Sequence, residues 1–292
     1  MPELPDIELY IEKLDERIRG RIVRDIRLGN PFLLRSVDPP LTDAIGKAVT
    51  GLCRIGKRIA IGLDEDYWLI LHLMVAGRLK WLNNKGRIGG RNQLAAFDFD
   101  CGSLLLTEAG TKKRASLYLV RGQDQLQLHD PGGIEPLQCS FAEFLERLQS
   151  ENRTLKRLLT SPAKFSGIGN AYSDEILHAA GLSPIKHSRK LDAAEQRRLF
   201  DAMRQVLEDW RDKLRAESGD RFPVRVTAFR EDMAVHGKFG KPCPVCGAIV
   251  QRIRYKSNET NYCPGCQTGG RILADRSLSR LLKDGWPLSA NE

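Results

Sequence analysis

Apolar residues at the start of the chain recur with a helical step. Ile7, Tyr10, Ile11, Leu14 and Ile18 share one face, and Gly20 follows them. A period near 3.6 closed by glycine predicts an amphipathic helix over 6–20. From Arg21 to Val120 the pattern changes mostly to period two. Strands are predicted at Arg58–Leu63, Trp68–His72, Arg78–Leu82, Leu94–Phe99 and Ser103–Thr107, with Gly- and Asn-rich breaks between them. Such a run predicts a β-sandwich-like domain over 1–125. A linker over 126–138 follows, carrying Asp130-Pro131-Gly132-Gly133 and Glu135-Pro136. Helices dominate 139–234. Ser140-Phe-Ala-Glu143 is a capping box, and Asp192-Ala-Ala-Glu195 opens a helix with Leu199, Met203, Val206, Leu207, Trp210 and Leu214 at helical spacing. A cysteine module occupies 235–270. In the tail, 271–292, Ile272, Leu273, Leu278, Leu281 and Leu282 predict a short amphipathic helix. The fold class is α+β.

Composition narrows the function. The 292 residues suffice for two domains and a module, and 41% hydrophobic with 28% charged residues describes a soluble globular chain. A net charge of +9 points to a polyanionic partner. Nucleic acid fits better than membrane, because no basic anchor helix stands out and the longest apolar run, Tyr67 to Gly77, is too short to span a bilayer. The acidic, amphipathic N-terminus is no signal peptide, so a cytoplasmic, nucleoid-associated protein is expected.

Four of the seven cysteines form two C-x-x-C pairs, Cys243/Cys246 and Cys263/Cys266. Four thiolates at this spacing close a tetrahedral zinc shell and leave no open position, so one structural zinc is expected. Ile249 to Tyr262 alternates Ile, Tyr and basic residues and predicts a β-hairpin. Arg252, Arg254 and Lys256 fall on one face of it, either a phosphate-facing surface or an ordinary solvated one.

Other candidates are weaker singly. If the initiator methionine is removed, Pro2 becomes an N-terminal secondary amine. Such an amine titrates about two units below lysine and can attack a sugar carbon, with Glu3 beside it to move protons. Alone, Met-Pro-Glu is more often a start followed by a loop. Gly167-Ile168-Gly169-Asn170 precedes a helix over 171–180 and either cradles a phosphate or turns between helices; Lys156, Arg157 and Lys164 add charge nearby. Lys57 starts a strand after a turn. Thr111-Lys112-Lys113-Arg114 is a basic loop between strands, able to push side chains into a duplex or simply solvated. His72, alone on an apolar strand, reads as a core residue.

In their joint order these motifs resemble the formamidopyrimidine-DNA glycosylase / endonuclease VIII family. The resemblance covers Pro2-Glu3-Leu4-Pro5, Gly56-Lys57-Arg58, His72-Leu73, Gly77-Arg78-Leu79, Gly167 to Tyr172, and the finger ending Tyr262-Cys263-Pro264-Gly265-Cys266-Gln267. It implies an N-terminal β-sandwich with a catalytic helix, a helix–two-turn–helix domain and a zinc-ribbon finger, with double-stranded DNA carrying a damaged base or abasic site in a cleft between domains. It implies a monomeric bifunctional glycosylase and lyase of base excision repair. Pro2 would form a Schiff base at the sugar of a flipped nucleotide, Glu3 would relay protons, and β,δ-elimination would cut the strand. Catalytic Lys57 and DNA-binding Asn170 would hold phosphates, with Lys156, Arg114, Arg252 and Arg254 adding to DNA binding.

Three departures mark a divergent subgroup. Counting back from Tyr262, the arginine with which the family's finger grips phosphate falls on Asn258. Aligning on Gly77 puts Val75 where many members place a void-filling methionine, with Met74 one residue early; on a strand, one step reverses the face. Thr107 to Arg114 replaces the family's Arg-Arg-Phe loop and carries no phenylalanine wedge. The alternative function is a non-catalytic protein that binds damaged or distorted DNA on the same scaffold. Pro2 and Glu3 favour the enzyme.

Overall fold

The computed structural model describes residues 1–224, 226–227, 229–255 and 258–274. The chain divides into two compact units, Met1–Pro131 with Trp210–Thr227, and Gly132–Asp209 with Ala228–Glu292. The first division falls inside the expected linker. The second assigns residues 210–227, expected with the helical domain, to the first unit.

In the first unit α1 (Leu4–Ile18) precedes eight strands: β1 (Val23–Leu28), β2 (Val49–Ile55), β3 (Arg58–Leu63), β4 (Tyr67–His72), β5 (Gly77–Leu82), β6 (Gln93–Phe99), β7 (Gly102–Glu108) and β8 (Ser116–Arg121). They form two four-stranded antiparallel sheets, ordered β1-β6-β7-β5 and β2-β3-β4-β8. α1 begins two residues before the expected start, because Pro5 is compatible with a first helical turn and Glu3 caps it. It ends before Gly20, whose φ of +73° takes the chain out of the helix. Ile7, Tyr10, Leu14 and Ile18 are fully buried with Ile59, Leu71, Phe97, Leu106 and Leu117 in one core. The period-two signal missed β1 and β2, and β8 was implied only as the strand after the basic loop, without bounds. Charged Arg24, Asp25 and Arg27 interrupt the first, Gly51 breaks the second, and both carry a register shift.

The return of 210–227 to the first unit has visible causes. The Tyr10 and Phe222 rings lie 5.7 Å apart, and Arg215 Nε meets Glu12 Oε2 at 2.9 Å. Both are partners that periodicity does not reveal.

A short helix, α2 (Gln123–Gln127), straddles the expected start of the linker. The second unit holds α3 (Phe141–Gln149), α4 (Leu155–Leu159), α5 (Asn170–Ala179) and most of α6 (Ala193–Ser218), then the hairpin β9 (Gln251–Tyr255) and β10 (Asn258–Tyr262) and the short α7 (Pro264–Thr268). Both expected caps form. Glu143 N–H donates to Ser140 Oγ at 3.3 Å, and Glu195 N–H to Asp192 Oδ1 at 2.8 Å. Ile253 and Tyr262 of the hairpin are buried with Leu273. The expected tail helix extends past 274, outside the described residues, and Lys256 also lies outside them. Among the described residues no helix is long and apolar enough to cross a membrane.

Candidate active site and nucleic-acid interface

The first residues form a tight anionic cap. Glu3 is the N-cap of α1, its carboxylate receiving the Asp6 N–H while Glu3 N–H donates to Asp6 Oδ2 at 3.0 Å. Both acids are buried, 2% and 1% exposed, where the first-turn N–H dipoles favour negative charge. Pro2 is buried as well. Burial pushes the Met1 amine below its ordinary value; Glu3 and Asp6 oppose this, while Arg78 and Lys57 push the same way. The fold therefore gathers the start of the chain, Glu3, Asp6, Lys57 and Arg78 into one charged cluster.

Lys57 reaches it from the two-residue turn joining β2 and β3, where Gly56 takes a φ of +59°. Arg58 pairs in register with His72 of β4. Burial, then the charges of Arg58 and Lys57, push the His72 ring down to about 4. His72 is therefore a neutral ring beside two cations, not a plain core residue. Sequence assigns His72 to the core and gives Arg78 no function beyond its place in a family motif; its adjacency to the motif glycine is the one available signal.

Arg78 also grips the β4–β5 connection, donating from Nη1 to Val75 O at 3.0 Å and Gly77 O at 2.6 Å. Residues 74–76 form a turn closed by Gly77 N–H on Leu73 O at 2.9 Å, so the expected strand alternation between Met74 and Val75 does not apply. Both sit at the tip, with Val75 60% exposed and Met74 in the left-handed region at φ +54°. Gly77 is obligatory, because a Cβ there would lie 2.1 Å from Leu73 O.

The basic loop is more constrained than its composition suggests. Buried Glu108 accepts the N–H groups of Arg114 at 2.9 Å and Ala115 at 3.1 Å. Lys113 turns back onto Glu108 O and Asn92 Oδ1. Lys112 and Arg114 remain exposed. Glu108 was missed as an organiser; a lone carboxylate ending an apolar strand was its only mark.

In the second unit Gly167, at φ +76°, leads into the start of α5, and Asn170 Nδ2 donates to Glu259 O of β10 at 2.8 Å. Lys156 corrects an expectation. It is 9% exposed and donates to Asn170 O at 2.6 Å, Ser173 Oγ at 2.8 Å and Asp174 Oδ1. An ammonium with three internal acceptors is a strut under the phosphate-type loop rather than a surface phosphate contact. Asp174 also accepts from His236 Nδ1 at 2.8 Å and Asn261 N–H at 3.2 Å. Glu175 takes the N–H groups of Ala234, Val235 and His236 at 2.8, 3.0 and 2.8 Å. One side of α5 is thus a buried polar stripe fastening the finger.

On the hairpin, Arg252 pairs with Glu259 at 3.3 Å and lies 4.1 Å over the Phe239 ring, so it is held in place; Arg254 and Asn258 are exposed. The zinc set is assembled. Cys243 and Cys266 sulfurs are 3.8 Å apart, and Cys246 and Cys263 3.3 Å. Zinc–sulfur bonds of about 2.3 Å require a tetrahedral edge of about 3.8 Å, so the four residues fit one structural zinc. Val245 and Cys266 N–H groups point at the sulfurs of Cys243 and Cys263, at 3.5 and 3.4 Å. Gly265 is required here, since a Cβ would meet Cys246 Sγ at 2.8 Å.

A β-sandwich with a buried N-terminal cap, a helical unit with a Gly-led helix and a four-cysteine finger are the parts of a helix–two-turn–helix protein with a zinc ribbon. Family models match in the same order: the formamidopyrimidine-DNA glycosylase N-terminal domain over 1–131, its H2TH domain over 133–211, and the zinc finger found in FPG and IleRS over 240–269. A formamidopyrimidine-DNA glycosylase of Heliobacterium modesticaldum is 33% identical, with 91% of this chain and 100% of the relative covered. An uncharacterized formamidopyrimidine-DNA glycosylase-like protein of Mycobacterium tuberculosis is 40% identical over 52% of this chain and 94% of its own. The solved Lactococcus lactis protein in complex with Fapy-dG-containing DNA superposes with a TM-score of 0.80 at 26% identity, covering 91% of this chain and 100% of that one. The chain belongs to the formamidopyrimidine-DNA glycosylase family of DNA-repair enzymes.

Proposed function

We propose that this protein is a monomeric, bifunctional glycosylase and lyase that removes oxidised bases from double-stranded DNA through the nitrogen of Pro2, freed by removal of Met1. The observation carrying this reading is the charged, buried setting of the chain terminus. The Met1 amine is pushed down there by burial, with Arg78 and Lys57 adding to it. Pro2, buried one residue on, would present its freed nitrogen in the same surroundings, which favour the unprotonated amine that attack requires. Relatives reported in complexes with Fapy-dG DNA or with abasic-site DNA support the substrate class.

In the proposed reaction the Pro2 nitrogen bonds to C1′ of a flipped nucleotide and the base–sugar bond breaks. Ring opening leaves an iminium. Glu3, held on the α1 terminus, passes the protons that ring opening and elimination require. Loss of the 3′ and then the 5′ phosphate completes β,δ-elimination. Lys57 holds a phosphate in the first unit. Asn170 and the α5 terminus hold one in the second, and Arg114, Arg252, Arg254 and Asn258 supply further DNA contacts. Val75 enters the space left by the base.

Borohydride trapping on a duplex with one abasic site tests the assignment. A reduced adduct should form, and tryptic mapping should place it on the peptide from Pro2 to Lys13. An adduct mapped to Lys57 or another lysine would refute Pro2 as nucleophile. Binding to the same duplex without any adduct would support the binding-only alternative.

A further inference from the structure

Five zinc donors, not four, converge at the base of the finger. His178 approaches from outside it, near the end of α5. Its Nε2 lies 3.3 Å from Cys243 Sγ. One ring nitrogen of His178 and the sulfurs of Cys243, Cys263 and Cys266 all lie within 4.8 Å of one another. A mixed nitrogen and sulfur shell has edges of about 3.6–3.8 Å, so those four donors come within about an ångström of a complete tetrahedron by themselves.

The remaining ligand is the vulnerable one. Cys246 is exposed on a turn with Pro244 and Val245, whereas Cys243, Cys263 and His178 are 2%, 0% and 8% exposed. An electrophile arriving from solvent meets the sulfur of Cys246 first. With three ligands left, an ordinary four-cysteine site would open and release its metal.

We propose that His178 is a reserve zinc ligand that takes the fourth position when Cys246 is lost, turning a four-cysteine shell into a three-cysteine, one-histidine shell without release of the ion. With Cys246 bound, the ring acts as an N–H partner of the Cys243 sulfur. When an alkylating agent reacts, a sulfur–carbon bond forms on Cys246, the halide leaves and the zinc–sulfur bond breaks. A ring nitrogen of His178 then bonds zinc, and any proton it carried passes to solvent. No oxidant is required.

Iodoacetamide treatment of the zinc-loaded full chain tests this, using wild type and His178→Phe, both of which keep all four finger cysteines. Mass spectrometry counts alkylation at Cys246 while a chromogenic chelator reports free zinc. Wild type should keep its zinc after Cys246 is modified, and His178→Phe should release one zinc for each Cys246 alkylated. Equal release from the two proteins would overturn the proposal and leave His178 as a hydrogen-bond partner only. Cys246→Ala gives a second reading. It should hold zinc at least about tenfold more tightly than Cys246→Ala combined with His178→Phe, and its cobalt form should show tetrahedral bands shifted to shorter wavelength by nitrogen ligation. Equal affinities for the single and double variants would also refute it.

Discussion

Replacing Lys156 with methionine removes an ammonium while keeping most of the side-chain bulk. Its acceptors are Asn170 O, Ser173 Oγ and Asp174 Oδ1, and the Lys156 and Asp174 side chains are 11% and 0% exposed. Removing one partner of a buried pair costs about 3–5 kcal/mol, because the other charge stays buried without compensation. Asp174 retains donors in His236 and Asn261, so the lower end, about 3 kcal/mol, applies. For a unit of this size, each kcal/mol moves the midpoint by about 2–4 °C, which gives a fall in Tm of about 6–12 °C. Calorimetry reads this directly. A surface phosphate contact behaves differently: Tm would hold, and the slope of log affinity for DNA against log salt would weaken by about 0.9. Wild-type Tm combined with that loss of slope would refute the strut assignment.

Glu108→Ala strands the N–H groups of Arg114 and Ala115 and should cost about 1–3 kcal/mol in urea denaturation; an unchanged midpoint would contradict the anchoring role. His72 sits near 4 in the fold against 6.5 ordinarily, so the unfolded chain takes up a proton first and stability should fall as pH drops from about 6.5 to about 4. Allowing for solvent screening, the loss is about 2 kcal/mol, and His72→Gln should flatten that part of the stability curve; an equal slope in the variant would rule His72 out as its source. Glu3→Gln should slow base release by about 10²–10⁴-fold in a single-turnover assay while leaving DNA affinity near wild type. A rate within a few-fold of wild type would remove Glu3 from the proton relay.

Legibility in the sequence followed the range of the interactions. The α1 core face, the capping boxes at Ser140 and Asp192, the finger hairpin and the four zinc ligands were readable because each is encoded within a few turns or residues. The resemblance supplied the order of the domains. What escaped was set by partners distant in sequence. Phe222 against Tyr10 takes 210–227 into the first unit, and Asp174 converts Lys156 from a candidate DNA contact into an internal support. The strand-alternation argument that set Met74 apart from Val75 does not apply, because period-two logic presumes a strand and Gly77 closes a turn there. His178 looked like an ordinary helical residue, since nothing local links it to a cysteine sixty-five positions away.

The polar stripe on α5 changes what counts as the inheritable part. Cut at residue 240, the finger would take all four cysteines and leave behind Asp174, the acceptor for Asn261, Asn170, the donor to Glu259 O, and His178, the neighbour of the Cys243 sulfur. Its strands would have to find other partners, and metal affinity would be spent on ordering them. Domain exchange therefore has a poor seam at the cysteine motif, because α5 and the finger hold one another and travel as one piece.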